Sequence, residues 1–483
     1  LIFGRRVSTS RAMASTVLPQ YALTTAWLCL VVGLGVMLLG AATACVVSLF
    51  EFKGRAVFEW ALLLPLAMPA YVVAYAYTDF LQYSGPAQNF IREITGWQGR
   101  MLPEVRSVGG AALVFIFTLY PYVYLLARAA LTERATHLME AARLLGAPLG
   151  RRIRSVALPL ARPAIVAGMA LALMETLADF GVSSYFGIQT FTAGVYKAWL
   201  VLDSPMAAAQ LATVLLLTVA ALLKLERHSR HRLRFSAAKG QRAGSNEARP
   251  VLLRGRAAIL AQLLCAAPVF LGFVLPVLFM LRPLLGAWGS ADAPLPWSGF
   301  VQWSLNSFKL AVIAAALASA LALALAFWVR RAPSWLAHGV VQVASMGYAV
   351  PGAVIVVGLL IPLTWLQSRW PEAGMGALLT TTVVGVVWAY LVRFSSVALH
   401  TVQSGYARVP LSMDDAARTL GVTGLGLLWR VHRPLLYRSS VVAALLVFVD
   451  VMKELPATLV LRPFNHDTLA VVAYQLAKDE RLG

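Results

Sequence analysis

Ten stretches of mostly apolar sequence, each about 20 residues or longer, recur along this chain, and such a stretch is what a helix needs to cross a hydrocarbon core of ~30 Å. They fall at 24–49, 61–82, 110–131, 159–180, 206–224, 257–282, 306–329, 338–366, 375–400 and 439–460. Membrane β-strands would instead be about ten residues long with alternating polarity, and nothing here alternates that way. The expected fold class is all-α, a polytopic membrane protein. Composition agrees, since 59% of the 483 residues are apolar and only 13% are charged, outside the range of soluble enzymes.

The formal charge of +20 would suggest nucleic acid in a soluble chain. Its distribution gives a different cause. Placing 132–158 on the cytoplasmic side puts 50–60, 225–256, 330–337 and 401–438 there too. With Arg162 and Lys224, these loops hold 25 of the 41 Lys and Arg residues. Short basic loops are retained in the cytoplasm, so this count sets the orientation. A nucleic-acid surface would interleave its bases with exposed aromatics or Gly-rich loops, and no such pattern occurs. Cys29, Cys45 and Cys265 all lie in apolar runs without CxxC spacing, which indicates neither a disulfide framework nor a thiolate metal site.

Self-comparison divides the chain. Met68-Pro69-Ala70 matches Val350-Pro351-Gly352 at an offset of 282, as Leu23-Thr24 matches Leu305-Asn306. Glu140-Ala141-Ala142-Arg143-Leu144-Leu145-Gly146 matches Asp415-Ala416-Ala417-Arg418-Thr419-Leu420-Gly421 at an offset of 275, which Pro159 and Pro434 keep. The domains read as a first half at 1–224, a basic cytoplasmic linker at 225–256 suited to anionic lipid headgroups, and a second half at 257–483. An even number of helices separates the repeat starts, so the halves are parallel and a pathway between them is expected. The helix at 257–282 has no partner before residue 24, and 206–224 has none after 460. Twelve helices are therefore expected in a complete chain.

Each half carries a cytoplasmic motif, in the loops 132–158 and 401–438. Met139 to Leu145 favours a helix, Gly146 suits a left-handed turn after it, and Pro148 prevents continuation. In the second copy, Ser412 is expected to cap a helix starting near Met413. Taken alone, these are two interhelical loops of common ancestry, although loops usually diverge first.

The pattern Glu-Ala-Ala, three residues, Gly, nine residues, Val-Ala-Leu-Pro resembles the cytoplasmic signature of permease subunits of bacterial ABC importers. That resemblance implies coupling positions at Glu140, Ala141, Ala142 and Gly146, and at Asp415, Ala416, Ala417 and Gly421. It also implies partners: two copies of an ATP-binding subunit gripping the short helices, and a periplasmic substrate-binding protein on the other side. The second copy departs from the pattern at Asp415 and at Arg433 before Pro434. No Gly-x-x-x-x-Gly-Lys-Ser/Thr phosphate loop occurs, so the chain itself is not expected to be an enzyme or to need a cofactor.

Met174-Glu175-Thr176-Leu177-Ala178-Asp179-Phe180-Gly181, Tyr185-Phe186-Gly187 and Met452-Lys453-Glu454-Leu455-Pro456-Ala457-Thr458 resemble fused permeases of ferric-iron importers of the bacterial inner membrane. So do Leu461-Arg462-Pro463-Phe464 and Pro65-Leu66-Ala67-Met68-Pro69-Ala70-Tyr71. Permeases for thiamine, phosphonate or other small solutes are close relatives and stay open as alternatives. Independently of resemblance, Glu175 and Asp179 are spaced i,i+4 on one helix face and map at offset 275 onto Asp450 and Glu454. A carboxylate within a bilayer costs about 2.5–3.5 kcal/mol at mid-depth, so four at matched positions call for a reason. Ferric iron is a hard cation suited to such oxygen donors. Tyr185, Tyr196 and Tyr474 could add phenolate oxygen; the alternative is structural, with Lys453 as partner of Asp450 or Glu454 and these tyrosines in membrane-interface roles. His137 and His466 read as solvated loop residues, and Arg462 as a partner for Asp467 or for an incoming protein. No metal site is assigned. An ion-coupled secondary transporter would need ionisable groups nearer mid-membrane. A membrane-embedded enzyme would need a catalytic motif that is not found.

Overall fold

The computed structural model describes residues 18–96, 99–100, 102–132, 136–237, 251–287, 297–374, 376 and 381–479. It is almost entirely helical. Helix α1 (Leu18–Leu49) leads into the two-residue strand β1 (Phe50–Glu51), then α2 (Arg55–Ala61), α3 (Ala70–Leu81), α4 (Pro86–Thr95) and α5 (Val108–Ala130). The short α6 (Thr136–Leu144) precedes the span α7 (Leu149–Ala178), followed by α8 (Gly181–Tyr185), α9 (Phe191–Tyr196) and α10 (Pro205–Ala237). Strand β2 (Val251–Leu252) pairs in parallel with β1 and leads to the span α11 (Arg256–Arg282). Helices α12 (Trp297–Arg331), α13 (Trp335–Ala344), α14 (Gly352–Arg369) and α15 (Val384–Tyr406) follow. The chain continues through α16 (Leu411–Thr419), the span α17 (Leu425–Met452), α18 (Pro456–Leu461) and α19 (Leu469–Lys478).

Among the described residues nine helices are long and apolar enough to cross a membrane, or ten if one bent pair counts as a span. That pair, Arg55–Ala67 and Ala70–Thr95, turns by 88°. The expected continuous helix at 61–82 is therefore broken. Pro69 stands in extended backbone at the N-cap of α3, having no N–H with which to continue the preceding turn. Pro351 does the same before α14, so the expected 338–366 helix is also interrupted. These are the prolines that the repeat aligns.

Other boundaries move for similar reasons. The expected 439–460 helix ends at Met452, because Pro456 starts the separate α18. The 375–400 helix is observed as Val384–Tyr406; residues 375 and 377–380 lie outside the described set. The helix expected to stop at 224 runs on to Ala237, so the first part of the expected linker is helical, while 238–250 lie outside the described residues. Helix α16 begins at Leu411 with Pro410 as its N-cap and no side-chain cap, so Ser412 does not cap it.

π-Helical turns cover 153–157 and 428–432, again 275 apart, and others cover 197–201 and 270–274. Those at 153–157, 270–274 and 428–432 end two residues before a proline, at Pro159, Pro276 and Pro434. A proline clashes with the carbonyl four residues back and cannot bond to it, and a widened turn relieves both problems.

Within the described residues the chain forms two compact units. One is drawn from Leu1–Leu202, Val214–Pro294 and Ala477–Gly483, the other from Asp203–Thr213 and Leu295–Leu476. The first is built on mutual packing of α1, α5 and α7, the second on the repeat-related α12, α15 and α17. Small residues permit the approach: α12 buries Ala311, Ala314, Ala318 and Ala322 completely. Helix α11 belongs to the first unit because Tyr77 Oη donates to Leu271 O at 2.6 Å and Phe80 stacks on Phe279 at 3.7 Å.

Candidate functional site

The two motif helices end alike. Gly146 and Gly421 both have φ +78°, a left-handed conformation that costs a residue with a Cβ about 1–2 kcal/mol. Gly146 N donates to Arg143 O at 3.0 Å and Ala147 N to Ala142 O at 3.0 Å; Gly421 N donates to Arg418 O at 3.0 Å and Val422 N to Ala417 O at 2.9 Å. This paired pattern satisfies the last helical carbonyls and stops each helix sharply. On α6, Met139 is buried, Glu140 and Ala141 are exposed and Ala142 is half-buried. On α16, Asp414 and Ala417 are buried while Asp415 and Ala416 are exposed. Beside the glycines, Leu144 and Leu145 are 89% and 88% exposed and Leu420 82%. Each motif thus presents an acid, an alanine and a bare leucine together.

What holds α16 in place was not anticipated. Asp414 is 4% exposed, and Arg330 from the end of α12 grips it with Nε to Oδ2 at 2.7 Å and Nη2 to Oδ1 at 3.0 Å. The same guanidinium donates to Val409 O at 2.9 Å and Pro410 O at 3.0 Å, fixing the chain where it enters the helix. His432 Nε2 lies 3.2 Å from Asp414 Oδ1, and its Nδ1 lies 2.9 Å from Tyr406 Oη. Burial pushes the Asp414 carboxyl up, but the hydrogen bonds from Arg330 and the neighbouring His432 outweigh it and hold the group below its ordinary value. The sequence carried one signal for this: Asp414 stands where the first copy has Met139, a charge in place of an apolar residue.

Each of the four matched carboxylates has its own local setting. Asp179 Oδ2 accepts from Val182 N at 3.0 Å and Ser183 N at 3.2 Å, closing the first turn of α8. Glu454, 4% exposed, accepts from Ala457 N at 2.9 Å, Thr458 N at 3.1 Å and Thr458 Oγ1 at 2.6 Å, closing the first turn of α18. Arg393 Nη1 lies 3.5 Å from Glu454 Oε1. Asp450 pairs with Lys453 at 3.0 Å, and Glu175 is half-buried on α7.

Tyr185 accepts from Arg106 Nη2 at 3.2 Å, with the guanidinium 4.9 Å from its ring. Tyr196, packed on Phe180 at 4.1 Å, and Tyr474 are buried. Arg462 is ion-paired with Asp467, and His466 is exposed with Nδ1 3.2 Å from Phe464 O. The His137 side chain lies outside the described residues. Among the described residues no three His, Cys, Asp or Glu side chains gather as metal ligands.

A family model for the binding-protein-dependent transport system inner membrane component matches residues 20–225 and 318–465, once in each repeat. The chain belongs to this family. It is the permease subunit of an ABC importer and a multi-pass membrane protein. A Fe(3+)-transport system permease protein of Haemophilus influenzae (FbpB 2) is 23% identical over 452 residues, covering 93% of this chain and 82% of that protein. A probable ABC transporter permease of Sinorhizobium fredii (y4fN) is 24% identical over 474 residues, covering 92% and 80%. A molybdenum transport system permease of Escherichia coli (ModB) is 34% identical over 136 residues, covering 28% of this chain and 57% of that protein. The long matches thus take in both halves of this permease, and the short one takes in part of it.

Proposed function

We propose that this permease moves Fe(III), delivered by a periplasmic binding protein, across a bacterial inner membrane, driven by two copies of a separate ATP-binding subunit. The observation that carries the ATP-driven part is the paired display on α6 and α16. Leucines 82–89% exposed beside glycine turns are apolar surface with a function, since both copies keep them next to an exposed acid. One ATP-binding subunit docks on each helix through Glu140, Ala141, Ala142 and Gly146, or through Asp415, Ala416, Ala417 and Gly421. Nucleotide binding then favours one of two alternating states, and the binding protein favours its match at the other face.

The cargo assignment is supported by near-full-length similarity to the Haemophilus influenzae Fe(3+) permease and by the matched acids. Asp179 and Glu454 have their carboxylates occupied by helix amides, so they shape the pathway by setting α8 and α18. Glu175, half-buried on α7, and Asp450, paired with Lys453, are the two acids of the set that do not cap a following helix. An oxyanion cargo is the second reading, favoured by the partial similarity to the molybdenum permease.

Growth of a permease-deficient strain under ferric chelation tests the cargo, with the intact gene set against a Glu175→Gln, Asp450→Asn double variant that leaves both caps intact. Rescue by the intact gene and weakened rescue by the double variant at equal membrane abundance are expected. Uptake of molybdate with no iron-dependent rescue would replace iron by an oxyanion.

A further inference from the structure

The two repeats fasten their coupling helices by different chemistry. In the second copy the fastening consists of Arg330, Tyr406, Asp414 and His432, and every contact lies within one compact unit. At the repeat offsets the first copy has Ser48, Leu131, Met139 and Ala157. Leu131, Met139 and Ala157 are all buried, at 1%, 8% and 0% exposure. Among the described residues the first copy does have ion pairs here, but Arg128 and Arg55 reach Glu59, which ties α2 to the end of α5 and not to α6.

These are mechanically unequal attachments. A guanidinium using Nε, Nη1 and Nη2 on a carboxylate and two carbonyls holds in one plane and one orientation, a geometry that the point charge of lysine cannot reproduce. Apolar contacts are non-directional and tolerate small slips and rotations. We propose that Arg330, Asp414, His432 and Tyr406 are positioning residues for transport: a clasp that makes α16 a rigid extension of its membrane half, while α6 is seated through apolar packing. The clasp touches neither nucleotide nor cargo. Its work is to set the angle at which α16 meets the ATP-binding subunit, so the proposal rests on the coupling reading above. The set found in the other repeat can restore packing but not that fixed angle.

The test uses the full transporter, purified with its ATP-binding subunits and reconstituted in vesicles with its binding protein, reading cargo moved per ATP hydrolysed. Arg330→Met and Asp414→Asn are expected to keep the ATP-binding subunit bound yet lower that ratio about tenfold, because each leaves a buried partner unpaired. Arg330→Lys should fall between them and the parent. The graft Arg330→Ser, Tyr406→Leu, Asp414→Met, His432→Ala copies the first repeat and leaves no buried charge unpaired, so it should keep the ATP-binding subunit bound yet still lower the ratio, because non-directional packing does not fix the angle. Parental ratios in Arg330→Met and Asp414→Asn, or a parental ratio in the graft, would overturn the clasp. If a single variant does not accumulate, the graft decides alone. Failure of the parent chain to bind any ATP-binding subunit would instead sink the coupling reading, and the clasp with it.

Discussion

Asp179 and Glu454 occupy the same post in the two repeats, each accepting the first free amides of the short helix that follows its long one. The resemblance stops at their surroundings. Glu454 also faces Arg393, with side chains 2% and 9% exposed, whereas the position matching Arg393 in the first repeat is Thr118.

That difference sets the cost of removing each charge. Asp179→Asn weakens a cap, worth about 0.5–2 kcal/mol. Glu454→Gln weakens a cap and also removes the charge that faces the buried Arg393, for which about 3–5 kcal/mol is expected. Thermal unfolding of the two detergent-purified variants should show the larger drop for Glu454→Gln. Equal drops would mean that Arg393 finds compensation elsewhere.

The coupling glycines invite a graded series. No atom lies within 4 Å of a Cβ built on Gly146 or Gly421, so only backbone conformation opposes substitution. Asparagine tolerates left-handed backbone better than alanine, and proline both forbids it and removes an N–H that bonds to Arg143 O or Arg418 O. Uptake should fall in the order Gly, Asn, Ala, Pro at either site, with Pro inserted in the membrane but uncoupled from ATP hydrolysis. Normal uptake by the Pro variants would remove the turn from the mechanism.

Much of this was legible in the sequence because membrane spans are long and repeats are self-evident. The aligned Pro69 and Pro351, the glycine turns and the matched acids were all visible. The breaks were not, since the apolar runs at 61–82 and 338–366 continue across their prolines, and hydropathy does not register a missing N–H. Nor was the use of Asp179 and Glu454 visible: i,i+4 spacing puts two acids on one helix face only if the helix continues, and it ends at Ala178 and at Met452. The clasp was hidden for a different reason. Arg330 and Asp414 are 84 residues apart, and each alone looks like an ordinary charge in a basic loop or a helix first turn.

The low pKa of Asp414 gives a pH dependence with a definite sign. A carboxyl whose folded value lies below its ordinary 3.8 contributes stability that is present above 3.8 and is lost as pH falls through the folded value. The stability difference between the parent and Asp414→Asn should therefore shrink as pH falls below about pH 4. Chemical denaturation of the purified pair as pH is lowered measures it. A difference that already fades between pH 5 and 6 would mean that burial, not Arg330, dominates the site.

Close packing in the first unit offers a sharper structural prediction. Gly168 on α7 meets the backbone of α5: a Cβ there would lie 2.6 Å from Val123 Cα and 2.8 Å from Tyr122 O. Backbone cannot rotate aside as a side chain can, so Gly168→Ala has to push two long helices apart, and overpacking of this kind costs about 1–3 kcal/mol or more. Gly150, in the first turn of α7, has nothing within 4 Å of its Cβ position. Gly150→Ala removes backbone freedom from the unfolded chain and adds a better helix former, so it should be neutral or stabilising by up to about 1 kcal/mol. Thermal unfolding of both variants checks the pair. Gly168→Ala should unfold at a clearly lower temperature than the parent and Gly150→Ala should not; a neutral Gly168→Ala would show that α5 and α7 separate without cost.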